Sequence, residues 1–163
     1  MKGYIKFKLC LIALFIIAVP ASYAQNSAAV EKAVKEIVKK YDGVDKVDCV
    51  TVAKGSGLEL VKMMFKKEFG KEFMKGVTSI TIINYSDASE KTCASLRKEL
   101  DVFLPLLEEF DLSEEKSFSD TGYVRSFASE SKTDKGAITD FVAAIEKEDS
   151  KMVMYMAGTI KVD

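Results

Sequence analysis

The apolar pattern of this chain changes its period near Pro105, and this change limits the folds that the chain can adopt. Before Pro105, apolar residues recur every three or four positions in three stretches, which predicts amphipathic helices. Short runs rich in β-branched residues lie between these stretches and predict strands. After Pro105 the apolar residues alternate, which predicts strands joined by polar turns. This order of elements predicts an α+β fold.

Three helices and six strands are predicted from these patterns. The helices are 28–41, which ends at Asp42-Gly43, 58–69 with a further turn up to Gly76, and one that begins at a cap on Asp87 or Ser89 and ends or kinks at Pro105. The strands are 47–53, 77–83, 107–112, 122–129, 137–145 and 151–160. We expect the helices to pack on one face of a mainly antiparallel sheet.

Residues 1–24 have the features of a secretory signal peptide. Three lysines precede an uncharged apolar run, Leu9–Val19, and small residues stand at the third and first positions before Gln25. Cleavage is therefore predicted between Ala24 and Gln25, which leaves residues 25–163 as a single domain. Cys10 lies too early to be a lipidation site. We expect an exported protein, periplasmic or secreted, without a lipid anchor.

The composition excludes several classes of function. The chain has no histidine, which removes Ser-His-Asp and Cys-His catalysis and His-ligated metals. Its formal net charge of -1 lacks the basic excess of a nucleic-acid-binding protein. Lys54-Gly55-Ser56-Gly57 lacks the spacing of a phosphate-binding loop and is interpreted as a strand-to-helix turn. We expect no cofactor.

Three groups of side chains are candidates for chemistry or for cross-linking. Cys49 and Cys93 are both predicted to be buried, either as a disulfide or as two small apolar side chains. Met152, Met154 and Met156 would line one face of a strand, where thioethers could bind Cu(I), but filling the core is the favoured interpretation. The carboxylates that could do acid–base work are Glu108, Glu109, Glu114 and Glu115; solvated strand ends are the favoured interpretation.

The second predicted helix interleaves lysines with methionines and phenylalanines. A basic amphipathic helix of this kind can lie on an anionic membrane surface. A helix that covers a sheet needs the same pattern, and Glu68 and Glu72 dilute its charge. Packing on the sheet is therefore favoured over peripheral membrane contact.

Segments along most of the chain resemble the domain of unknown function 4252 family. The segments that carry the resemblance are Tyr41-Asp42-Gly43-Val44, Met74–Ile82, Ser89–Lys91, Leu96–Leu100 and Gly158-Thr159-Ile160. The resemblance covers roughly residues 35–162. It implies a small exported bacterial α+β domain, often tethered to a membrane by a lipid, and brings no catalytic residues.

These observations favour a non-enzymatic domain of the bacterial cell envelope that binds a protein partner or a small ligand. One alternative is a carboxylate-based hydrolase that acts on an extracellular polymer. The other alternative is a methionine-rich Cu(I)-binding protein.

Overall fold

The computed structural model of the chain describes residues 26–112, 122–131 and 134–162. Helix α1 occupies residues 26–41, and strand β1, Asp48–Val52, follows. Helices α2 (Gly55–Phe69) and α3 (Lys71–Lys75) lead into β2, Val77–Asn84. Helix α4, Glu90–Glu99, continues as a 3-10 turn over Leu100–Phe103. The remaining strands are β3 (Glu108–Glu109), β4 (Tyr123–Glu130), β5 (Ala137–Lys147), β6 (Ser150–Gly158) and β7 (Ile160–Lys161).

All seven strands form one antiparallel sheet in the order β1-β2-β6-β5-β4-β3, with β7 paired to β5. The predicted α+β class is confirmed. Ser89 is the N-cap of α4, one of the two residues predicted for this role, and its hydroxyl accepts a hydrogen bond from the Thr92 amide at 3.2 Å. Helical structure ends before Pro105, as its ring requires. The strand predicted over 107–112 is shorter, with only Glu108 and Glu109 in the ladder.

The prediction that the helices share one face of the sheet is wrong. The buried apolar residues fall into two clusters, and neighbouring residues of β5 belong to different ones: Val142 to the first, Phe141 and Ala143 to the second. Since successive side chains of a strand point to opposite faces, the two clusters lie on opposite faces of the sheet. Residues of α1 and α4 join the first cluster, and residues of α2 and α3 the second. We call these the α1 face and the α2 face.

A β-bulge in β5 keeps both faces correctly filled. The register moves from Phe127↔Val142 to Ser129↔Thr139, so β5 contains one residue more than β4 over this interval. In a regular strand Ile138 and Phe141 would point to opposite faces, but both belong to the cluster on the α2 face. The extra residue is Asp140, which has a φ of 51°. The bulge therefore allows an acidic residue in the middle of a mostly apolar strand.

Gly76 and Gly158 let two segments of backbone meet where β2 begins. A Cβ atom on Gly76 would overlap the Thr159 carbonyl, and one on Gly158 would overlap the Gly76 carbonyl. Gly158 also has a φ of 141°, which disfavours any other residue. The backbone at Gly158 and Thr159 can approach the start of β2 closely only because both glycines lack a side chain.

Candidate functional site

A groove of about 540 Å³ lies between α1 and the sheet. Its floor comes from β1, β2 and β6, and its walls come from one side of α1, between Ser27 and Asp42, and from Ala53 after β1. The floor residues are Thr51, Ser79, Thr81, Tyr155 and Ala157. Small-molecule sites in proteins have volumes of roughly 300–1,000 Å³, so the groove has room for one.

The groove exists because the strands carry small or hydroxylated side chains beneath this part of α1. The ladder aligns Thr51 with Thr81, and Thr81 with Tyr155. Further along the same face the strands carry Ile83 and Val153, which are buried in the apolar cluster. Open space therefore remains above these smaller side chains, along the side of α1 between Ser27 and Asp42.

The floor presents hydroxyl groups in a row across three strands. The hydroxyls of Thr51 and Thr81 are hydrogen-bonded at 3.0 Å. The Tyr155 hydroxyl donates to Oδ1 of Asp140 at 2.8 Å, in buried surroundings. Together with Val34 and Val38 of α1, these groups offer hydrogen bonds from the floor and apolar contact from the wall. This combination can orient a ligand by a few polar contacts while enclosing its apolar part.

Asp140 anchors one side of the groove. It is only 3 % exposed, and its Oδ1 atom accepts hydrogen bonds from Tyr155 and, at 3.0 Å, from the Ser27 hydroxyl. These bonds join α1, β5 and β6 at one carboxylate. A buried acid at a β-bulge with positive φ is a feature often found near functional sites. Asp140 was not among the predicted site residues, although a lone acid within the mostly apolar run 137–145 is a signal that could have revealed it.

The charged rim of the groove is balanced. Lys35 pairs with Glu31 at 2.6 Å on α1, and both side chains are largely exposed. Lys39 and Asp42 add one charge of each sign. Because water screens exposed ion pairs, the charges of this rim discriminate little between positively and negatively charged ligands. The groove therefore suits a neutral or zwitterionic ligand better than a strongly charged one.

A second polar cluster, centred on Glu146, joins α4 to β5. Arg97 makes a two-pronged ion pair with Glu146, at 2.8 Å and 2.6 Å, and the Tyr85 hydroxyl donates to the same carboxylate at 3.0 Å. Burial favours the neutral acid, but the hydrogen bonds from Arg97 and Tyr85 outweigh it and lower the pKa of Glu146. Burial, followed by the charge of Glu146, raises the pKa of Tyr85. Both carboxylate oxygens are already engaged by the protein, so this cluster is interpreted as structural.

The three methionines of β6 lie on the α2 face, as their alternation predicts. Met154 and Met156 are buried in its apolar cluster, and the half-buried Met152 packs against it. Strand β6 lies between β2 and β5, inside the sheet. The thioethers therefore occupy core space between the sheet and α2, which is the interpretation that the sequence favoured.

The two cysteines of the predicted mature chain are free thiols. Cys93 is fully buried in the cluster on the α1 face, as predicted. Cys49 is only half-buried, because β1 is the edge strand of the sheet. Burial, followed by the charges of Asp42 and Asp48, raises the pKa of the Cys49 thiol and makes it a poor nucleophile at neutral pH.

Among the described residues, the remaining candidates are not brought together in one site. Glu108 and Glu109 are exposed on β3, whereas Glu114 and Glu115 lie outside the described residues. Lys54 is the N-cap residue of α2, whereas Gly55, Ser56 and Gly57 form the first turn of the helix, so the predicted turn is largely part of α2. The predicted cleavage position, Ala24 and Gln25, also lies outside the described residues.

The described residues contain neither a cluster of metal-ligating side chains nor a helix that could span a membrane. Over 26–112, 122–131 and 134–162, no three His, Cys, Asp or Glu side chains are grouped as a metal site requires. In the same part of the chain, each helix is too short or too polar to span a bilayer.

The family comparison matches the model of a domain of unknown function (DUF4252) to residues 41–163. The matched region contains every strand of the sheet and helices α2, α3 and α4. Comparison with curated proteins found no match. Comparison with solved structures found none either.

Proposed function

Since this chain belongs to the DUF4252 family, whose description assigns no activity, we propose its function from the groove: it is a non-enzymatic domain of the bacterial envelope that binds a small ligand beneath α1. The observation that carries the proposal is the 540 Å³ groove with its hydroxyl-bearing floor and apolar wall. The N-terminal segment, with its lysines, apolar run and small residues before Gln25, supports an exported location.

Asp140 supports binding more directly than it supports catalysis. Acid–base catalysis needs a carboxylate that can exchange a proton with the substrate. Oδ1 of Asp140 instead accepts hydrogen bonds from Ser27 and Tyr155, and the residue is almost fully buried. Its role is to hold the Tyr155 ring and the first turn of α1 in place. The groove is thereby shaped before a ligand arrives, which lowers the entropic cost of binding.

The proposal is tested by mapping ligand binding on the protein. Amide chemical shifts of ¹⁵N-labelled protein are recorded against a panel of sugars, amino acids, dipeptides and nucleosides. We expect at least one compound to shift residues of the groove floor, and its own spectrum to stay unchanged during incubation with the protein. Conversion of the compound would refute the non-enzymatic assignment, and hits that map only elsewhere would refute the site.

A pair of tryptophan variants makes the mapping specific. Ala53 lines the groove and is exposed, so Ala53→Trp fills part of the space without disturbing the core. Ala94 is an exposed residue of α4 and provides the matched control, Ala94→Trp. Ala53→Trp should weaken binding about tenfold or more, whereas Ala94→Trp should bind like the parent.

A further inference from the structure

Helix α2 carries two apolar faces, and covering the sheet accounts for only one of them. Leu58 is buried, and Val61 and Phe65 pack against the cluster on the α2 face. On the opposite side, Leu60, Met63 and Met64 are 61 %, 71 % and 64 % exposed. These three residues lie at i, i+3 and i+4, so they form one continuous patch on the helix surface. We call them the outer patch.

The outer patch lies in the most basic part of the molecule. Residues 54–75 contain six lysines and three glutamates, a net charge of +3. The remainder of residues 25–163 contains 15 basic and 22 acidic side chains, a net charge of −7. Lys66 and Lys67, in the last turn of α2, are exposed beside the patch. Positive charge is thus concentrated around exposed apolar residues in an otherwise acidic protein.

We propose that α2 docks the protein on an anionic lipid surface, with Leu60, Met63 and Met64 inserted at the boundary between headgroups and acyl chains. Apolar residues flanked by lysines on a helix surface are the features of interfacial membrane binding. A second copy of the chain is a poorer occupant, because the two copies would bring together two segments 54–75, each with a net charge of +3, and these would repel each other. The proposal goes beyond ligand binding and does not depend on it.

This orientation leaves the groove accessible. The outer patch belongs to the helix on the α2 face, whereas the groove lies on the α1 face of the same sheet. When α2 rests on the lipid, the sheet stands between the membrane and the groove. The ligand therefore enters from the aqueous side.

The test uses the full-length gene product, purified in the form that the producing cells accumulate. Its N-terminus is determined by mass spectrometry. Binding is measured by flotation with vesicles of phosphatidylethanolamine and phosphatidylglycerol, and with vesicles of phosphatidylcholine alone. We expect binding to the anionic vesicles only, weakened as salt is raised. Equal binding to both vesicles, or to neither, would overturn the proposal.

Two sets of variants locate the contact. Leu60→Ser, Met63→Ser and Met64→Ser combined should reduce binding to anionic vesicles about tenfold or more, as should Lys66→Glu with Lys67→Glu. The matched control is Val102→Ser with Leu104→Ser, which removes apolar side chains that are 41 % and 50 % exposed away from α2. Retained binding by the triple variant would refute the assignment. Thermal unfolding of each variant establishes that it is folded, and Met63→Ser alone repeats the test if the triple variant is not.

A fluorescence measurement reports insertion directly. The chain has no tryptophan, so Met63→Trp introduces a single tryptophan, in the outer patch, whose emission can be excited selectively. Its emission should shift to shorter wavelength with anionic vesicles, whereas that of Ala94→Trp should not change. An unchanged Met63→Trp spectrum would overturn insertion. Sedimentation without lipid provides a further criterion, since a dimer that the triple variant abolishes would assign the patch to a second copy instead.

Discussion

The contacts that hold the helices on the two faces of the sheet differ in kind. On the α2 face, the rings of Phe69, Phe73 and Phe110 all lie within 6 Å of the Phe141 ring. On the α1 face, two buried carboxylates, Asp140 and Glu146, are hydrogen-bonded to residues of other elements. Apolar packing is non-directional and tolerates change in proportion to volume. Hydrogen-bonded carboxylates are directional, so they fix the positions of α1 and α4 and preserve the open groove.

The largest effect is expected on the aromatic side of this comparison. Phe141 is fully buried among three rings, so Phe141→Ala should lower the free energy of unfolding by about 3–5 kcal/mol. Urea denaturation measures the loss. Met63→Ala, at an exposed position of α2, is the control and should change stability by less than about 0.5 kcal/mol. A loss below about 1 kcal/mol for Phe141→Ala would show that the ring cluster does not hold this face together.

Breaking the ion pair on the α1 face should have the next largest effect. Arg97→Met leaves the Glu146 carboxylate buried without its cation and should destabilise the fold by about 3 kcal/mol. The double variant with Glu146→Gln should recover part of this loss, because the uncompensated charge is then absent. A double variant less stable than Arg97→Met would contradict this account.

The same carboxylate should make stability depend on pH. The folded pKa of Glu146 is lowered, so its contribution is complete above the unfolded value of about 4.3 and is lost as the pH falls through the folded value. Unfolding free energies of the parent and of Glu146→Gln, measured by urea denaturation from neutral to acid pH, should therefore converge only when the pH falls below the unfolded value. Parallel pH profiles would show that Glu146 does not contribute in this way.

Asp140 should show a smaller effect that depends on the kind of replacement. Asp140→Ala removes the acceptor of two hydrogen bonds and the short polar side chain that favours positive φ, which should cost about 2 kcal/mol. Asp140→Asn keeps a carbonyl oxygen and tolerates the left-handed conformation, so we expect a loss below about 1 kcal/mol. Thermal denaturation compares the two. Equal losses would indicate that neither the acceptor nor the backbone conformation matters.

The smallest effect is expected within the methionine row. Met154→Leu nearly conserves volume in the cluster on the α2 face and should change stability by less than about 1.5 kcal/mol. Competition against a Cu(I) chelator probe should show no tight binding by the parent. Stoichiometric Cu(I) uptake that Met154→Leu abolishes would favour the methionine site instead.

Local sequence signals were sufficient to predict most elements. The cap at Ser89, the helix end before Pro105 and the strand at residues 77–84 follow from side-chain and backbone preferences that act within a few positions. The methionine row also followed from the two-residue repeat of a strand. The family was recognisable for the same reason, because these local patterns run through residues 41–163.

Which face each helix covers was decided only by the tertiary structure. An amphipathic helix carries an apolar stripe wherever it packs, and its pattern is the same on either side of a sheet. The apolar spacing of α2 also predicted that Met64 would cover the sheet with Val61 and Phe65, but its side chain is exposed. Asp140 reaches Ser27 across 113 positions of the chain, and this contact depends on one extra residue in β5. The sequence determined the spacing of apolar residues in each helix and strand. Long-range packing determined the groove, because a cavity is made by residues that meet only after folding.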